Sequence, residues 1–489
     1  MRIAATPGAS SPGPLPQASV VIDVGKTHAK LTLFDADGHT LAEQRRLSRV
    51  LAATDSRGYP HHDSEGLWTW MLSVMSDFGT VARIGSIVPV THGATAALVD
   101  EQGLVLPIMD YEFDGLGDDP GFAATYAAQR PDFAQSASPA LPAGLNLGRQ
   151  LAWLARNRPI EFARCRHVLL YPQYWAWRLS GVAASELTSL GCHTDLWTPP
   201  PRDQVDGSGD YSGLVDAHGW RPMFPPLRPA WARLGALRPE LAAATGLPAE
   251  CQILCGIHDS NASLLRHLLT LNSSEPCTVL STGTWVIAAS LGGAANGHLD
   301  ESQDMLANCD ILGRPVPCMR FMGGREFGAI AGTTPSPFGT AELRKLIEQR
   351  TLALPSFAEA GGPFARKRSS GHIKGPSPES PPEHSALATL YVALMADYCL
   401  EAMAVEARPV VVEGAFSANA FFGPLLAGLR DGRKVTVSHD SSGTAFGGWL
   451  LVDWANAETR APAAPQAAVP SLNLPGWRAY RDAWRSRLD

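Results

Sequence analysis

The chain has 489 residues, 45% of them hydrophobic and 18% charged, so it can bury the cores of two or three domains and is not intrinsically disordered. Its formal net charge is −7 and it has no long basic run, which excludes the surface typical of nucleic-acid or anionic-membrane binding. It lacks an apolar signal core and any run of eighteen uninterrupted apolar residues, so we expect a cytoplasmic protein with no membrane partner.

The first predicted elements are two strands within "VVIDVGKTHAKLTLFDADG", residues 20–38. Its Gly-Lys-Thr triplet does not form a Walker A loop, because that loop needs a glycine five positions before Gly25, where this chain has Val20. Alternating residues and an Asp-Ala-Asp-Gly turn predict a β-hairpin instead. A tight turn with Asp23 and Thr27 can bind phosphates or hydrated Mg²⁺, although the pattern alone is more typical of an ordinary hairpin.

Further along the first half, the apolar spacing predicts strands alternating with helices. A short strand follows the hairpin, and the next predictions are a helix over 65–79, strand, loop and strand over 84–112, and helices over 146–159 and 168–181, the last ended by Gly181. A loop rich in proline and glycine over 199–213 indicates that a lobe ends soon afterwards.

The second half has a similar predicted alternation of strands and helices. The predictions are strand, turn and helix over 251–265, two strands around a Ser-Thr-Gly-Thr turn over 277–290, a helix over 386–405, strand, glycine turn and helix over 409–432, and a helix over 444–457. Residue identity does not demonstrate the repeat. Composition predicts a mobile surface insertion over 361–385 and a linker over 461–475.

The cysteines and isolated histidines show no metal-binding pattern. Cys251 and Cys255 are four residues apart, but no second pair or double histidine completes a zinc set, so we expect buried free thiols in a reducing compartment. The histidines interpreted as surface or core residues are His61, His62, His193 and His439.

Taken in order, the motifs resemble the FGGY family of carbohydrate kinases, within the actin, hexokinase and Hsp70 superfamily, over residues 19–455. The resemblance implies an α/β fold with two ribonuclease-H-like domains of the actin and hexokinase type on either side of a deep cleft. It predicts a flexible N-terminus (1–18), an N-terminal sugar-binding lobe (19–250), a C-terminal ATP-binding lobe (251–456) and a C-terminal tail (457–489).

The resemblance also implies ATP and Mg²⁺ as cofactors. The nucleotide residues are Asp23, Gly25, Lys26 and Thr27 in the first hairpin, Ser281, Thr282, Gly283 and Thr284 in the second, and Gly414, Ser417 and Asn419 in the adenosine segment. Turns with free N–H groups and hydroxyls suit the β and γ phosphates, although a plain β-turn explains the second hairpin equally well on its own. Two departures stand out: Lys26 can act as a point charge or point to solvent, and Ala415 and Phe416 leave the nucleotide preference open.

Asp259 in "GIHDSNASLL" is the candidate catalytic residue. The stretch resembles the family's Gly-x-His-Asp segment, which implies that Asp259 is the general base and that Asp23 and Asp259 hold Mg²⁺ through water. A carboxylate suits this role, because the attacking alcohol loses its proton late in a loose transition state. Taken alone, an aspartate followed by Ser260 and Asn261 at the start of a helix is typical of an N-cap.

The sugar-binding residues are assigned because the segment over 90–112 resembles the one with which family members hold a polyol. The substrate-binding residues are His92, Gly93, Asp110, Tyr111, Glu112, His258 and Asp259. Vicinal hydroxyls need bidentate acceptors, which Asp110 and Glu112 offer, with Tyr111 or Trp175 against the C–H face of the sugar. Many relatives carry arginine where this chain has Glu112, so the commonest pentulose and glycerol substrates are not expected.

Two further residues, Arg325 and Glu326 in "MGGREF", can add contacts from the second lobe or form an exposed ion pair. The resulting hypothesis is ATP-dependent phosphorylation of a small-molecule sugar, a ketose such as L-rhamnulose or L-fuculose, with a homodimer left open. One alternative is a sugar- and nucleotide-binding sensor or clamp without productive transfer. Another is a glycoside hydrolase that uses Asp110 and Asp259, against which the phosphate-type turns argue.

Overall fold

Two seven-stranded sheets organise the chain, and each has its own row of helices. The computed structural model describes residues 15–53, 58–200, 209–270, 276–292, 299–359, 361–364, 370–405, 407–438, 443–461 and 466–488. Most of the predicted flexible N-terminus, five residues of the predicted insertion and His439 lie outside these ranges.

The first half contains the following elements. Its strands are β1 (Gln17–Val24), β2 (His28–Asp35), β3 (Thr40–Leu47), β4 (Val50–Leu51), β5 (His61–His62), β6 (Arg83–Thr91), β7 (Ala96–Asp100), β8 (Gly103–Leu104), β9 (His167–Leu170), β10 (Trp197–Thr198), β11 (Asp210–Tyr211), β12 (Arg233–Ala236), β13 (Gln252–Leu254) and β14 (Ile257–His258). Its helices are α1 (Ser64–Gly79), α2 (Pro120–Gln129), α3 (Phe133–Ser136), α4 (Leu147–Asn157), α5 (Pro159–Phe162), α6 (Tyr171–Ser180), α7 (Leu187–Leu190), α8 (Gly213–Ala217) and α9 (Pro239–Thr245), with 3-10 helices Asp114–Gly117 and Arg221–Met223.

The second half contains a similar set. Its strands are β15 (Cys277–Thr282), β16 (Val286–Leu291), β17 (Met305–Cys309), β18 (Pro315–Phe321), β19 (Leu352–Leu354), β20 (His372–Lys374), β21 (Val410–Gly414), β22 (Val435–Ser438) and β23 (Gln466–Ala468). Its helices are α10 (Asp259–Thr270), α11 (Gly323–Ala331), α12 (Thr340–Gln349), α13 (Pro381–Ala402), α14 (Phe422–Leu429), α15 (Gly443–Leu450), α16 (Ala457–Arg460) and α17 (Trp477–Arg485), with 3-10 helices Glu301–Gln303, Ala415–Ala418 and Leu451–Asn456.

The first sheet has the strand order β12-β13-β6-β1-β2-β3, with β14 also paired to β6. Strands β1, β2 and β3 are antiparallel neighbours, whereas β6 runs parallel to β1, and β13 and β14 run parallel to β6. The buried apolar run of β1 suits a central strand covered on both faces, and the exposed, charged β3 suits an edge. Because β1, β6 and β14 are parallel, their carboxyl ends meet at one edge of the sheet.

The second sheet repeats this topology in the order β17-β18-β16-β15-β21-β22-β23. Strands β15, β16 and β18 are antiparallel neighbours, β21 runs parallel to β15, and β22 runs parallel to β21. The repeat that residue identity does not demonstrate is therefore present in the strand order. This topology confirms the predicted α/β fold with two related sheet domains.

The two sheets are joined through α10 and α15, which pack against each other on the first sheet. Their shared apolar cluster includes Val21, Val90, Ala262, Phe446 and Trp449. At the crossing, a Cβ atom on Gly447 would lie 1.9 Å from the carbonyl oxygen of Ala262, so the helices approach to a distance that only glycine permits. This arrangement differs from the predicted boundary between residues 250 and 251, because β13, β14, α10 and α15 all lie on the first sheet.

The second lobe is built around α13. This helix is long and apolar enough to cross a membrane by composition, but 83% of the relevant window is buried in the core of the lobe. The C-terminal α17 packs into the same core: Trp477 Nε1 donates to the Leu425 carbonyl at 3.0 Å and Trp484 Nε1 to the Ala353 carbonyl at 2.7 Å. Residues that the sequence predicts as a tail thus contribute to the core.

Several predicted elements differ in detail. The predicted helix over 168–181 begins with β9, and the helix itself starts at Tyr171 and ends at Gly181 as expected. The predicted helix over 444–457 changes to a 3-10 helix after Leu450. Within the described part of the predicted insertion, β20 pairs with β19 and α13 begins at Pro381, because Ser380 caps it by accepting from the Glu383 N–H. The predicted linker over 461–475 contributes β23 to the second sheet.

The helix crossing yields a stability prediction. We expect Gly447→Ala to lower the free energy of unfolding by about 1–3 kcal/mol, since the added methyl group would force α15 away from α10. Urea unfolding measures the change. The matched control is Gly443→Ala in the first turn of the same helix, where an added Cβ meets no atom within 4 Å. Equal stability of the two variants would contradict the close crossing.

Candidate active site

Two cavities adjoin each other, the first between the two halves and the second within the second half. The first has a volume of about 830 Å³, and its wall on the side of the first sheet contains Lys26, Thr27, His92, Gly93, Tyr111, Glu112, Leu141, Cys192, His193, His258 and, at the start of α10, Asp259. Its second-half wall contains Thr284, Trp285, Glu301, Asp304, Leu306, Arg320, Met322, Arg325, Gly361 and Gly362. The second cavity, of about 970 Å³, lies in the second half and is lined by Gly283, Thr284, Gly324, Arg325, Phe327, Phe338, Phe416, Asn419 and Phe421. Thr284 and Arg325 belong to both linings, so the cavities meet there.

Asp259 lies at the inner edge of the first cavity, where β14 passes into α10. Its Oδ1 accepts from the Ser260 backbone N–H at 2.6 Å and lies 3.3 Å from His258 Nε2. Burial raises the pKa of Asp259, and the nearby His92 and the hydrogen bonds from Ser260 oppose this shift. Within the described structure every hydrogen bond of this carboxylate uses Oδ1, so Oδ2 keeps its capacity to accept a proton.

Asp23 lies at the end of β1, beside the end of β6. Burial, and then repulsion by Asp259, raise the pKa of Asp23 to about 7. The charge of Asp259 therefore disfavours ionisation of Asp23. Two adjacent carboxylates are a donor set that suits a hard divalent cation. Asp23 itself is outside the lining of both cavities.

The ring of His258 packs against the loop that carries His92 and Gly93. A Cβ atom on Gly93 would lie 2.8 Å from His258 Nε2, so glycine allows this contact. Burial lowers the pKa of His258 to about 4 and also lowers the pKa of His92, so both rings are neutral near pH 7. His92 further contacts the rings of Tyr111 and His62, with centroids 5.4 and 5.2 Å apart.

A buried carboxylate that the sequence interpretation missed supports this segment. Glu186 accepts from the Thr188 hydroxyl at 2.6 Å, and the Thr188 hydroxyl accepts from the backbone N–H of His258 at 3.0 Å. Burial raises the pKa of Glu186 to about 7. These two hydrogen bonds fix the backbone at His258, the residue before Asp259. No local pattern indicates them, because residues 186–188 and 258 meet only in the folded chain.

Lys26 is paired with acidic side chains, whereas the sequence left open a point charge beside the phosphates or a side chain that points to solvent. Its Nζ forms an ion pair with Asp110, lies 3.3 Å from Glu112 Oε2, and stands 4.7 Å from the ring centroid of Tyr111. Two carboxylates and an aromatic ring therefore hold the ammonium group within the first cavity, away from the second. The sequence could not indicate this contact, because Lys26 and Asp110 are 84 positions apart.

The second-half wall of the first cavity contains another charged group that was not predicted. Arg320 binds Asp304 through two contacts of 3.1 and 3.2 Å, and its guanidinium lies 4.6 Å from the centroid of a Trp285 ring. Trp285 directly follows the Ser-Thr-Gly-Thr turn, which is a signal that could have identified it. The pair of Arg320 with Asp304 has no local signal.

A loop over 138–146 covers the first cavity from the first half. Asp195 anchors the loop, because it accepts from the Ser138 hydroxyl at 2.8 Å and binds the guanidinium of Arg130. Glu301 of the second half accepts from the Ala140 N–H at 2.7 Å and lies 3.3 Å from Arg130. The loop thus bridges the two halves. His193, interpreted as a surface or core residue, lines the same cavity.

The second hairpin is fastened to β21 at the boundary of the second cavity. Thr282 donates its hydroxyl proton to the Glu413 carbonyl and accepts from the Phe416 N–H at 2.9 Å. Gly414 has φ +81°, and a Cβ there would lie 2.0 Å from the Thr282 carbonyl oxygen, so this position requires glycine. Among the predicted nucleotide residues, Gly25, Ser281, Thr282, Gly414 and Ser417 lie outside both linings.

Aromatic side chains dominate the second cavity. The rings of Phe338 and Phe421 stack with centroids 4.9 Å apart. Asn419 lines this cavity, but its amide supports the local turn: Nδ2 donates to the Thr389 hydroxyl at 3.0 Å, and Oδ1 accepts from the Phe421 N–H at 3.0 Å. The cavity therefore offers flat apolar surfaces suited to stacking a planar base.

Two contacts that the sequence offered as alternatives are absent from the described structure. Trp175 is fully buried in the first-lobe core, stacked on Trp68, and does not reach the cavity, because α6 turns this face toward α1. Glu326 forms no exposed ion pair with Arg325. It is buried, and it accepts from the Tyr391 hydroxyl and from the Phe357 N–H at 3.0 Å.

Solved structures share this two-lobed fold. The structure of a carbohydrate kinase from Novosphingobium aromaticivorans matches with a TM-score of 0.85 and 35% identity, covering 97% of this chain and 98% of that one. A xylulose kinase from Lactobacillus acidophilus matches with a TM-score of 0.78, covering 96% of each chain, and at 13% identity it supports the fold alone. The fold class is that of two-lobed kinases of the actin and hexokinase type.

Sequence comparison identifies the family within this fold class. The N-terminal domain profile of the FGGY family of carbohydrate kinases matches residues 143–265, and the FGGY C-terminal domain profile matches residues 274–461. An L-fuculokinase from Haemophilus influenzae is 25% identical over 285 residues, 55% of this chain and 56% of the relative. An L-fuculokinase from Salmonella typhi is 26% identical, and the match spans 55% of each protein, so the chain matches about half the length of both relatives. The chain belongs to the FGGY family of carbohydrate kinases.

The proximity of Asp23 and Asp259 yields a prediction about pH and stability without added cation. The native pKa of Asp23, about 7, exceeds its ordinary 3.8, so the folded protein binds more protons and loses stability as pH rises from about 4 to about 7. We expect Asp23→Asn to remove this loss. Its melting temperature relative to wild type should therefore be higher at about pH 8 than at about pH 5.

Asp35→Asn is the control of opposite sign. Burial alone would raise the pKa of Asp35, but hydrogen bonds from the backbone N–H groups of His39 and Asp37 lower it. The charged form of Asp35 therefore stabilises the fold at pH values above the ordinary carboxyl range. This control should therefore lose stability at about pH 8 and lose less as the solution is acidified. A pH-independent effect of Asp23→Asn would contradict the repulsion.

The ion pairs of Lys26 yield a second prediction. If the first cavity binds the sugar and Lys26 organises it, Lys26→Met should raise the KM for sugar by roughly 10-fold or more, since Asp110 loses a charged partner worth about 1.5–3 kcal/mol. The KM for ATP should stay within about twofold of wild type. Steady-state kinetics with each substrate varied in turn measures both constants. A rise in the KM for ATP alone would instead support the phosphate role predicted from the sequence.

Proposed function

We propose that this chain catalyses ATP-dependent phosphorylation of a sugar hydroxyl. The observation that carries the proposal is the junction of two cavities at Thr284 and Arg325, with Asp259 lining the first. A nucleotide in the second cavity would direct its terminal phosphate toward a hydroxyl held beside Asp259. In-line transfer needs this relation of donor, acceptor and base.

Asp259 is the proposed general base. It accepts the hydroxyl proton as the new bond to phosphorus forms, and its Oδ2 is the atom with capacity to do so. His258 and the chain from Glu186 hold the backbone of this residue in place. The neutral ring of His258 adds no positive charge that would make the base weaker.

The second cavity is the proposed nucleotide-binding site because of its shape and lining. Its phenylalanine rings suit a stacked base, and Thr284 offers a hydroxyl donor where the two cavities meet. The Gly283 N–H is already donated to the Trp285 carbonyl at 2.8 Å. The repulsion between Asp23 and Asp259 fits a bound cation. When present, Mg²⁺ would be held by these two carboxylates, largely through water, and would neutralise phosphate charge.

The proposed substrate is a ketose such as L-rhamnulose or L-fuculose. Glu112, which is bound by Lys26, offers a carboxylate to the sugar hydroxyls, and Tyr111 offers a ring for the C–H face. Asp110 is buried outside the lining of both cavities and holds Lys26 in place. The covering loop contributes Leu141, and the opposite wall contributes Leu306, surfaces suited to the terminal methyl group of a 6-deoxyketose. The match to two L-fuculokinases supports this class.

The other readings have less support. A glycoside hydrolase would need Asp110 as a second catalytic carboxylate, but Asp110 is bound by Lys26 and by the Glu112 N–H. A sensor without transfer would not need a general base beside the junction. The loop over 138–146 would exclude water and limit wasteful hydrolysis of ATP. A cytoplasmic location and a homodimer stay predictions.

The test is ADP release with ATP and Mg²⁺ across ketoses, aldoses and polyols. We expect a 6-deoxyketose to give the highest kcat/KM and Asp259→Asn to lower kcat by about 10²–10⁴-fold, the usual contribution of general base catalysis. Asp77→Asn, on the exposed face of α1, is the matched control and should keep wild-type kinetics.

Two outcomes would contradict the proposal. If no sugar raises ADP release above the background, productive transfer is excluded for that panel, and sugar and nucleotide binding by calorimetry would then support the sensor. If Asp259→Asn keeps full activity with its fold intact, another group must be the base.

A further inference from the structure

Arg325 lies where the two cavities meet. It lies in the first turn of α11, its side chain is exposed, and with Thr284 it lines both cavities. Its side chain therefore faces both the cavity that contains Asp259 and the cavity lined by phenylalanine rings. The sequence interpretation treated Arg325 only as a contact or as half of a surface ion pair.

The backbone fixes where this side chain begins. The Gly324 N–H donates to the Thr284 carbonyl at 3.2 Å, and a Cβ atom on Gly324 would lie 2.4 Å from the Gly283 carbonyl oxygen. The start of α11 is therefore packed directly on the second hairpin. Arg325 follows this contact by one residue, so its position relative to the hairpin is set by backbone packing.

The other cationic side chains of the first cavity are already neutralised. Lys26 is held by Asp110 and Glu112, and Arg320 is held by Asp304. Across the residues that the structure describes, Arg325 has no hydrogen-bond or ion-pair partner. The adjacent Glu326 cannot serve, because it is buried and bound to Tyr391 and Phe357. Arg325 is thus a positive charge directed to the junction with no internal partner.

We propose that Arg325 is a catalytic residue that binds the phosphoryl group during transfer. This inference rests on the proposed function. As the bond between the γ phosphorus and the ADP oxygen breaks, ADP leaves with the electron pair, and the sugar oxygen forms the new bond to phosphorus. The hydroxyl proton passes to Asp259. The guanidinium donates to the equatorial oxygens of the moving group, where negative charge is concentrated.

An arginine suits this place better than a lysine. Its planar guanidinium offers parallel N–H donors to two phosphate oxygens, whereas an ammonium group acts as a point charge. A contact made only in the transition state should lower kcat when it is lost, with little change in KM. A contact to the bound sugar should instead raise the KM for sugar. The two roles are therefore distinguishable by kinetics.

The experiment compares Arg325→Met, Arg325→Lys and Arg325→Ala with wild type in the ADP-release assay. We expect Arg325→Met to lower kcat by about 10²–10³-fold while the KM for sugar stays within about threefold. Arg325→Lys should recover part of this loss, and added guanidinium ion should raise the rate of Arg325→Ala. Arg344→Met, an exposed arginine of α12 outside both linings, is the matched control and should leave the kinetics unchanged.

Equal melting temperatures of the variants exclude loss of folding as the cause. A raised KM for sugar with kcat preserved would overturn the proposal and make Arg325 a substrate-binding residue. An active wild type whose Arg325 variants keep full kcat would overturn only this inference. A wild type without sugar-dependent ADP release would overturn the proposed function together with it.

Discussion

The site depends on the parallel pairing of β1, β6 and β14. In this register Val24 and His258 both lie opposite Thr91, so three chain segments end together at one edge of the sheet. The next residues of two of these segments are His92 and Asp259, and Asp23 stands one position before the end of β1. Residues from three distant parts of the sequence therefore form one cluster, because the carboxyl ends of parallel strands share an edge.

The packing of α10 against α15 makes this edge part of the cleft. Asp259 begins α10, and α10 is held on the first sheet by a helix from near the end of the chain. Gly447 allows the two helices to approach closely. The position of the proposed base thus depends on residues almost two hundred positions away, which links the stability of the lobe junction to the geometry of the site.

Charge pairing fixes two cationic side chains in the wall of the first cavity. Lys26 is paired with Asp110, and Arg320 with Asp304, in places where an unpaired charge would be costly. Asp259 and Arg325 form no such ion pair with a side chain of opposite fixed charge in the described structure. In the proposed mechanism, Asp259 accepts the proton and Arg325 binds the negative charge of the phosphoryl group.

The sequence by itself determined the local turns and the elements around them. The hairpin at Gly25, the turn at Gly283 and the strand-to-helix step at Asp259 were all predicted, because each depends on a few neighbouring residues with strong conformational preferences. The order of these motifs also indicated the two-lobed fold. Only the tertiary structure decided that Lys26 pairs with Asp110 and that Arg325 lies at the junction of two cavities. These features join residues far apart in the chain, and their distances are set by strand register and helix packing rather than by local sequence.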